Sequence, residues 1–252
     1  MSTRNRLLRI ISTIGLVFSL VVSMSACSTS WKEEVQLHDG SKIIVERSVD
    51  RGGRHEIGQQ SPIKNQSLSF TLPSTNEKVK WEDNFTQDVG GANFLPMLLE
   101  TRKDTAYLVV NPMGCLSYNK WGRPNPPYVV FKYQNKEWKR IPLQEIPTEI
   151  QTPNLIFSSP DDEAEKIGQR VVSAETIKRL YADYKQPEFK TILREPIRSA
   201  GEGCGEMIRV NDGWEGTGFF SGQPSYEACL KYCEQKEVPA QNCPCNRLFK
   251  GK

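Results

Sequence analysis

Val35-Gln36-Leu37-His38-Asp39-Gly40-Ser41-Lys42-Ile43-Ile44-Val45 is the stretch that decides the architecture. Two apolar-rich runs flank Asp39-Gly40, a pair favoured in a tight type I′ turn because both central positions need positive φ. The expected element is a β-hairpin. The same grammar recurs along the chain. Residues 67–72 alternate Leu68, Phe70 and Leu72 on one face, and residues 78–81 are their pairing partner. Residues 97–100 and 106–110 flank the charged turn Arg102-Lys103-Asp104, and residues 128–133 and 138–141 flank Gln134-Asn135-Lys136. Serial hairpins of this kind predict an antiparallel sheet, a sandwich or a barrel.

Helical signals follow. Ser159-Pro160-Asp161-Asp162-Glu163 carries a candidate N-cap serine, proline at the first helical position and acids in the first turn. Residues 173–185 place Ile177, Leu180, Tyr181 and Tyr184 at helical spacing, and Pro187 ends that helix. Past residue 199 the composition shifts, with seven glycines between Gly201 and Gly222 and a short helix at about residues 225–236. Residues 238–252 look irregular. The expected fold is α+β: predominantly antiparallel β, then two or three helices, then a disulfide-stapled appendage. Its parts are a β-rich domain ending in helices (31–198) and a Gly-rich, Cys-rich C-terminal appendage (199–252).

The N-terminus has its own pattern. Arg4, Arg6 and Arg9 precede an apolar run over residues 10–24, which closes on Met24-Ser25-Ala26-Cys27. Charge, apolar stretch and small residues at a cut site make a secretory signal, expected over residues 1–26. With cysteine directly after the small residues, it resembles the lipobox of bacterial lipoproteins, Met24 standing where leucine is commonest. The resemblance covers residues 1–28 and implies that Cys27 is lipidated, becomes the mature N-terminus and anchors the chain through more than one acyl chain. It also implies a cell-envelope location. Ser28, rather than aspartate, follows the cysteine, which favours the outer membrane where the organism has one. The competing reading is an uncleaved membrane helix, but the run is at or below the short end of the roughly 17–25 residues that a span requires. In both readings everything after Cys27 lies outside the cytoplasm. Residues 27–30 make a tether short enough to keep the folded part close to the bilayer.

Three of the 33 Lys and Arg lie ahead of Cys27, and none of the 30 Asp and Glu does. The mature part thus balances 30 bases with 30 acids, so no net charge draws it to nucleic acid. Of seven cysteines, six remain beyond Cys27: Cys115, Cys204, Cys229, Cys233, Cys243 and Cys245. An even number in an exported chain predicts disulfides. Cys229 and Cys233 share one helix face and Cys243-Pro244-Cys245 lies ten residues on, so two bridges join these segments, in preference to a zinc site whose C-x2-C spacing is missing. By elimination Cys115 pairs with Cys204, tying the appendage to the sheet.

Signals for catalysis are weak. Ser61-Pro62-Ile63-Lys64 and Ser117-Tyr118-Asn119 are similar to two elements of the serine penicillin-binding fold, but no apolar helix follows Ser61 and the K-T/S-G element is missing. The only imidazoles are His38, expected to be solvated beside its turn, and His55 in a loop; H-E-x-x-H is absent. Asp161-Asp162-Glu163 is expected to serve the helix terminus rather than calcium. Ser221-Gly222 with Tyr226 resembles the S-G…Y loop of lysozyme-inhibitor lipoproteins, without the rest of that pattern. No catalytic residue, metal or cofactor is assigned. Residues 118–128 are the most suggestive segment: prolines stiffen it, and Trp121, Arg123, Asn125 and Tyr128 are the candidate binding residues. The alternative is that Trp121 and Tyr128 pack beneath a crossover. The functional expectation is a lipid-anchored, non-enzymatic module that binds an envelope protein or glycan. Its alternatives are an envelope hydrolase acting on cell-wall or glycan material through paired carboxylates, and an inhibitor-type lipoprotein.

Overall fold

A computed structural model of the protein describes residues 28–53 and 55–249. The expected signal and lipobox, Cys27 included, lie outside the described residues. The fold is α+β, with ten antiparallel strands and seven α-helices among the described residues. Strands β1 (Ser28–Gln36), β2 (Lys42–Arg51), β3 (Ile63–Thr71) and β4 (Lys78–Asp83) form one four-stranded meander. Strands β5 (Phe94–Arg102), β6 (Thr105–Pro112), β7 (Val129–Gln134) and β8 (Glu137–Ile141) form a second. All four expected hairpins are present. Ser28, Thr29 and Ser30, expected as a tether, are instead the first three residues of β1, paired with Asp50, Val49 and Ser48.

The turns differ in detail. At Asp39-Gly40 only Gly40 has positive φ, at 85°. Leu37 N–H donates to Ser41 O and Gly40 N–H to Leu37 O, so the loop has three residues and closes on a left-handed glycine instead of forming a type I′ turn. Asp39 helps hold it, its carboxylate accepting from the Ser41 N–H and hydroxyl. The positive-φ pair falls at Asn135-Lys136, between β7 and β8, at 54° and 64°.

The two sheets stack. Val35, Val45, Leu68, Phe70, Val79 and Trp81 of the first meet Leu99, Leu108, Val110 and Val129 of the second in one core. The first sheet alternates buried and exposed along β4, so its outer face is solvated. In the second, β5 and β6 are buried on both faces because helices cover the back of the sheet. Those helices are α2 (Pro160–Ile167), α3 (Ala174–Ala182) and the short α4 (Pro187–Lys190). Val172, Ile177 and Tyr181 there pack against Leu98, Val109 and Val130. The layers are therefore sheet, sheet, helices. The β1 edge is closed by the chain entering α3: Val172 N–H donates to Lys32 O and Glu34 N–H to Val172 O, both at 2.8 Å.

Two carboxylates organise the inside. Glu33, wholly buried, pairs with Arg47 at 2.9 Å and also accepts from Trp31 Nε1 (2.6 Å) and Ile156 N–H (3.0 Å). Arg47 donates in turn to Ile156 O at 2.6 Å. Asp83, at the end of β4, accepts from Gln66, from the N–H groups of Asn93 and Phe94, and from the Asn93 amide, so it joins the two sheets. Burial pushes its pKa up despite these bonds.

The helix starts carry two surprises. Ser173, read as the first residue of the second helix, caps α3 by accepting from Thr176 N–H, whereas Ser159, expected to be a cap, sits at φ 42° and its side chain caps nothing. Asp161 does more than complement a helix terminus: burial raises its pKa, but a two-pronged bond from Arg51, both contacts 2.6 Å, outweighs that and holds it below the usual value. α3 ends at Ala182, ahead of Pro187, which opens α4.

The appendage is more ordered than its composition implies. It contains a hairpin, β9 (Met207–Val210) and β10 (Gly213–Gly216), then α5 (Thr217–Ser221), α6 (Tyr226–Gln235) and α7 (Cys245–Phe249) around Phe220, Cys229, Cys233 and Cys245. Residues 238–249, expected to be irregular, include a short 3₁₀ turn and α7. Cys229–Cys245 and Cys233–Cys243 staple it, and Cys115–Cys204 fastens it to helix α1 (Gly114–Lys120), which lies between β6 and β7.

Candidate functional site

The residues singled out in the sequence are engaged in internal contacts, and Asn125 and Tyr128 also line a concavity of about 410 Å³ with Pro124 and Arg140. Trp121 packs among Phe94 (ring centroids 4.6 Å) and Phe131 (6.1 Å), and its Nε1 donates to Asn93. Arg123 lies over the Tyr118 ring and donates to Gly205 O and Asn119 Oδ1. Asn125 is exposed, yet it both accepts from Ile197 N–H and donates to Ile197 O. Tyr128 is buried, donates to the carbonyls of Glu188 and Thr191, and has its pKa pushed well up by burial. Arg123, Asn125 and Tyr128 secure this segment to the chain that leads into the appendage, and Trp121 secures it to the sandwich. Sequence spacing could not reveal this, because it does not say which way an aromatic ring points. Trp121→Ala should accordingly lower the melting temperature by roughly 6–12 °C, since emptying a largely buried tryptophan site costs about 3 kcal/mol. An unchanged melting temperature would show that Trp121 is a surface residue after all.

Ser61 and Lys64 make no catalytic pair either. Lys64 lies in β3, while the Ser61 hydroxyl meets exposed His55 Nδ1 at 3.1 Å. Ser221 ends α5 with its hydroxyl on Gly218 O, and Tyr226 bonds to Asn246, so no projecting S-G…Y loop is formed. Among the described residues, the Cys233, Cys243 and Cys245 sulfurs lie within 4.8 Å of one another, but all three are consumed in disulfides and offer no thiolate.

Another concavity lies elsewhere. A cleft of about 380 Å³ opens where the far end of β1 meets β5, α3 and residues 149–154; Gln36, His38, Glu100, Glu149, Gln151 and Lys178 are among its walls. His38 is not a free surface imidazole. Its Nδ1 stands 3.0 Å from Glu100 Oε1, and Glu100, buried in β5, also accepts from the N–H groups of His38 and Thr101. On the other side, His38 Nε2 lies 3.2 Å from Arg102, which also pairs with Glu149. A guanidinium can only donate, so Nε2 accepts and Nδ1 carries the ring proton. Its own backbone N–H and Arg102 hold the Glu149 pKa below the usual glutamate value. Asn154 braces the floor, accepting from Leu99 N–H and donating to Leu99 O and Gln36 O.

The result is a hydrogen-bonded chain, Glu100–His38–Arg102–Glu149, with both imidazole nitrogens occupied. It presents fixed donors and acceptors, and both terminal carboxylates are already engaged, Glu100 by His38 and Thr101 and Glu149 by Arg102. That arrangement suits recognition of a polar group better than proton transfer. Sequence reading missed it because His38 and Glu100 are 62 positions apart and meet only when the two sheets stack.

The chain matches no protein-family model, no curated protein and no solved structure.

Proposed function

We propose that the protein is a lipid-anchored binding module of the cell envelope, held to the membrane through Cys27 and engaging an envelope protein or glycan in the cleft around His38 and Glu100. One observation carries the reading. β1 starts at Ser28, the residue after the lipobox cysteine, and delivers Gln36, the first wall of the cleft, at its other end. Nine strand residues at about 3.3 Å each put the cleft nearly 30 Å from the anchor, facing away from the bilayer. A lipid on Cys27 thus leaves the recognition surface free.

The hydrolase reading has one observation in its favour: Glu100 and Glu149 line the same cleft. Against it, Glu149 is held ionised by its partners, whereas an acid catalyst needs a raised pKa.

Affinity capture from solubilised envelope separates the two. The full chain in detergent should retain one partner. Replacing exposed Gln151 and Lys178 with alanine should reduce its recovery about tenfold or more with the melting temperature unchanged, as for a pair at the centre of a binding site. Undiminished recovery would place the partner elsewhere. Retention only of glycan fragments that shorten with time, abolished by Glu149→Gln, would establish the hydrolase.

A further inference from the structure

The end of the sandwich that carries Ser28 has a feature that anchoring alone does not require. Among the described residues, five large hydrophobic side chains stand exposed, and two of them, Ile57 and Phe85, lie in loops at this end. Ile57, fully exposed, is in the β2–β3 loop, and that loop follows Arg51, next to the Asp50 that pairs with Ser28. Phe85, 42% exposed, is in the β4–β5 loop, its N–H held by Asn65 at the start of β3. The two loops touch. A Cβ on Gly53 would lie 3.5 Å from Pro62 and 3.8 Å from Gly90 O, and one on Gly91 only 2.9 Å from Ile63 O. Ile57 and Phe85 therefore project from one braced edge, adjacent to the strand that begins where the apolar N-terminal run ends.

We propose that this edge is a membrane-contact surface, with Ile57 and Phe85 entering the boundary between headgroups and acyl chains of the bilayer that holds the N-terminus. The inference rests on the anchored reading above, and its occupant follows from chain geometry. The apolar run of residues 10–24 and Cys27 lead directly into Ser28, so lipid lies at this end whether the chain is lipidated or keeps a membrane helix. Among the described residues around the two loops, Arg51 is paired with Asp161 and Lys120 with Asp88, so the proposed contact rests on the apolar side chains. Two side chains would not hold a protein on a membrane. Beside an anchor they fix its tilt, and with it the outward direction of the distal cleft.

The test uses the full chain reconstituted in phosphatidylcholine vesicles whose acyl chains are brominated at graded depths. Ile57→Trp, Phe85→Trp and, as reference, Ile44→Trp on the outer face of the first sheet are compared with the parent. The added tryptophans at 57 and 85 should be quenched maximally about 5–10 Å below the headgroup boundary, the range of interfacial insertion, and that at 44 should be unquenched. Co-flotation of the parent with vesicles is scored separately. Flotation without quenching at 57 and 85 overturns the contact surface alone. Failure to float overturns the anchored reading and the contact with it.

Discussion

Arg47→Ala should destabilise the protein by about 3–5 kcal/mol, the cost of leaving a buried charge without its partner. The reason is the setting of the pair. Arg47 and Glu33 both point between the sheets, with side chains 1% and 0% exposed. Removing the guanidinium leaves the Glu33 carboxylate with only Trp31 Nε1 and Ile156 N–H, and strips Ile156 O of its donor. Trp31 loses the guanidinium 5.1 Å above its ring as well. Glu33→Leu combined with Arg47→Met should cost far less than either single change, because no uncompensated charge remains. Urea denaturation followed by tryptophan fluorescence measures all four variants. A single substitution costing under about 1 kcal/mol would mean the pair is hydrated and not the internal strut described here.

The second large effect concerns the appendage. Replacing Cys115 and Cys204 together with alanine should cost about 4–5 kcal/mol, because that bridge closes a loop 89 residues long and loop entropy rises with length. What remains between appendage and sandwich is sparse: Asn119 bonded to Gly205 and Met207, Arg123 to Gly205 O, and Trp214 Nε1 to Asp88 O. Gly201 also packs so closely on Tyr118 that a Cβ would fall 2.2 Å from the ring. The appendage keeps its own core and two internal bridges. The double variant should therefore release a folded, disulfide-bonded fragment when proteases cut the chain near residue 200. A variant that resists proteolysis like the parent would show that the hydrogen bonds alone hold the interface.

How much of this was legible follows from where each signal is stored. Hairpins are written locally: Leu68, Phe70 and Leu72 share a face because strands have period two, and they lie in the core. Sandwich, barrel and open sheet share that local pattern, and the choice was made by the second sheet, whose β5 is buried on both sides. The disulfides were legible because cysteine count and helical spacing leave few arrangements. Helix α1 was not: seven residues, Gly114-Cys115-Leu116-Ser117-Tyr118-Asn119-Lys120, are too few to show a period, and Ser117, Tyr118 and Asn119 are buried by partners far along the chain. The loop after it looked like a binding surface because Trp, Arg, Asn and Tyr serve recognition and internal stapling equally well. The cleft was illegible for the opposite reason: His38, Glu100 and Glu149 stand in unremarkable local contexts and acquire meaning only together.

The central claim is that this sandwich hangs from lipid on Cys27. Intact-mass and N-terminal peptide analysis of the protein purified from the membranes of its host tests it most directly. The account predicts a mature chain starting at Cys27 and carrying acyl chains, with Cys27→Ser chains losing the acyl mass. A chain that retains Met1 with an unmodified Cys27, or one recovered from the soluble fraction without lipid, would contradict it.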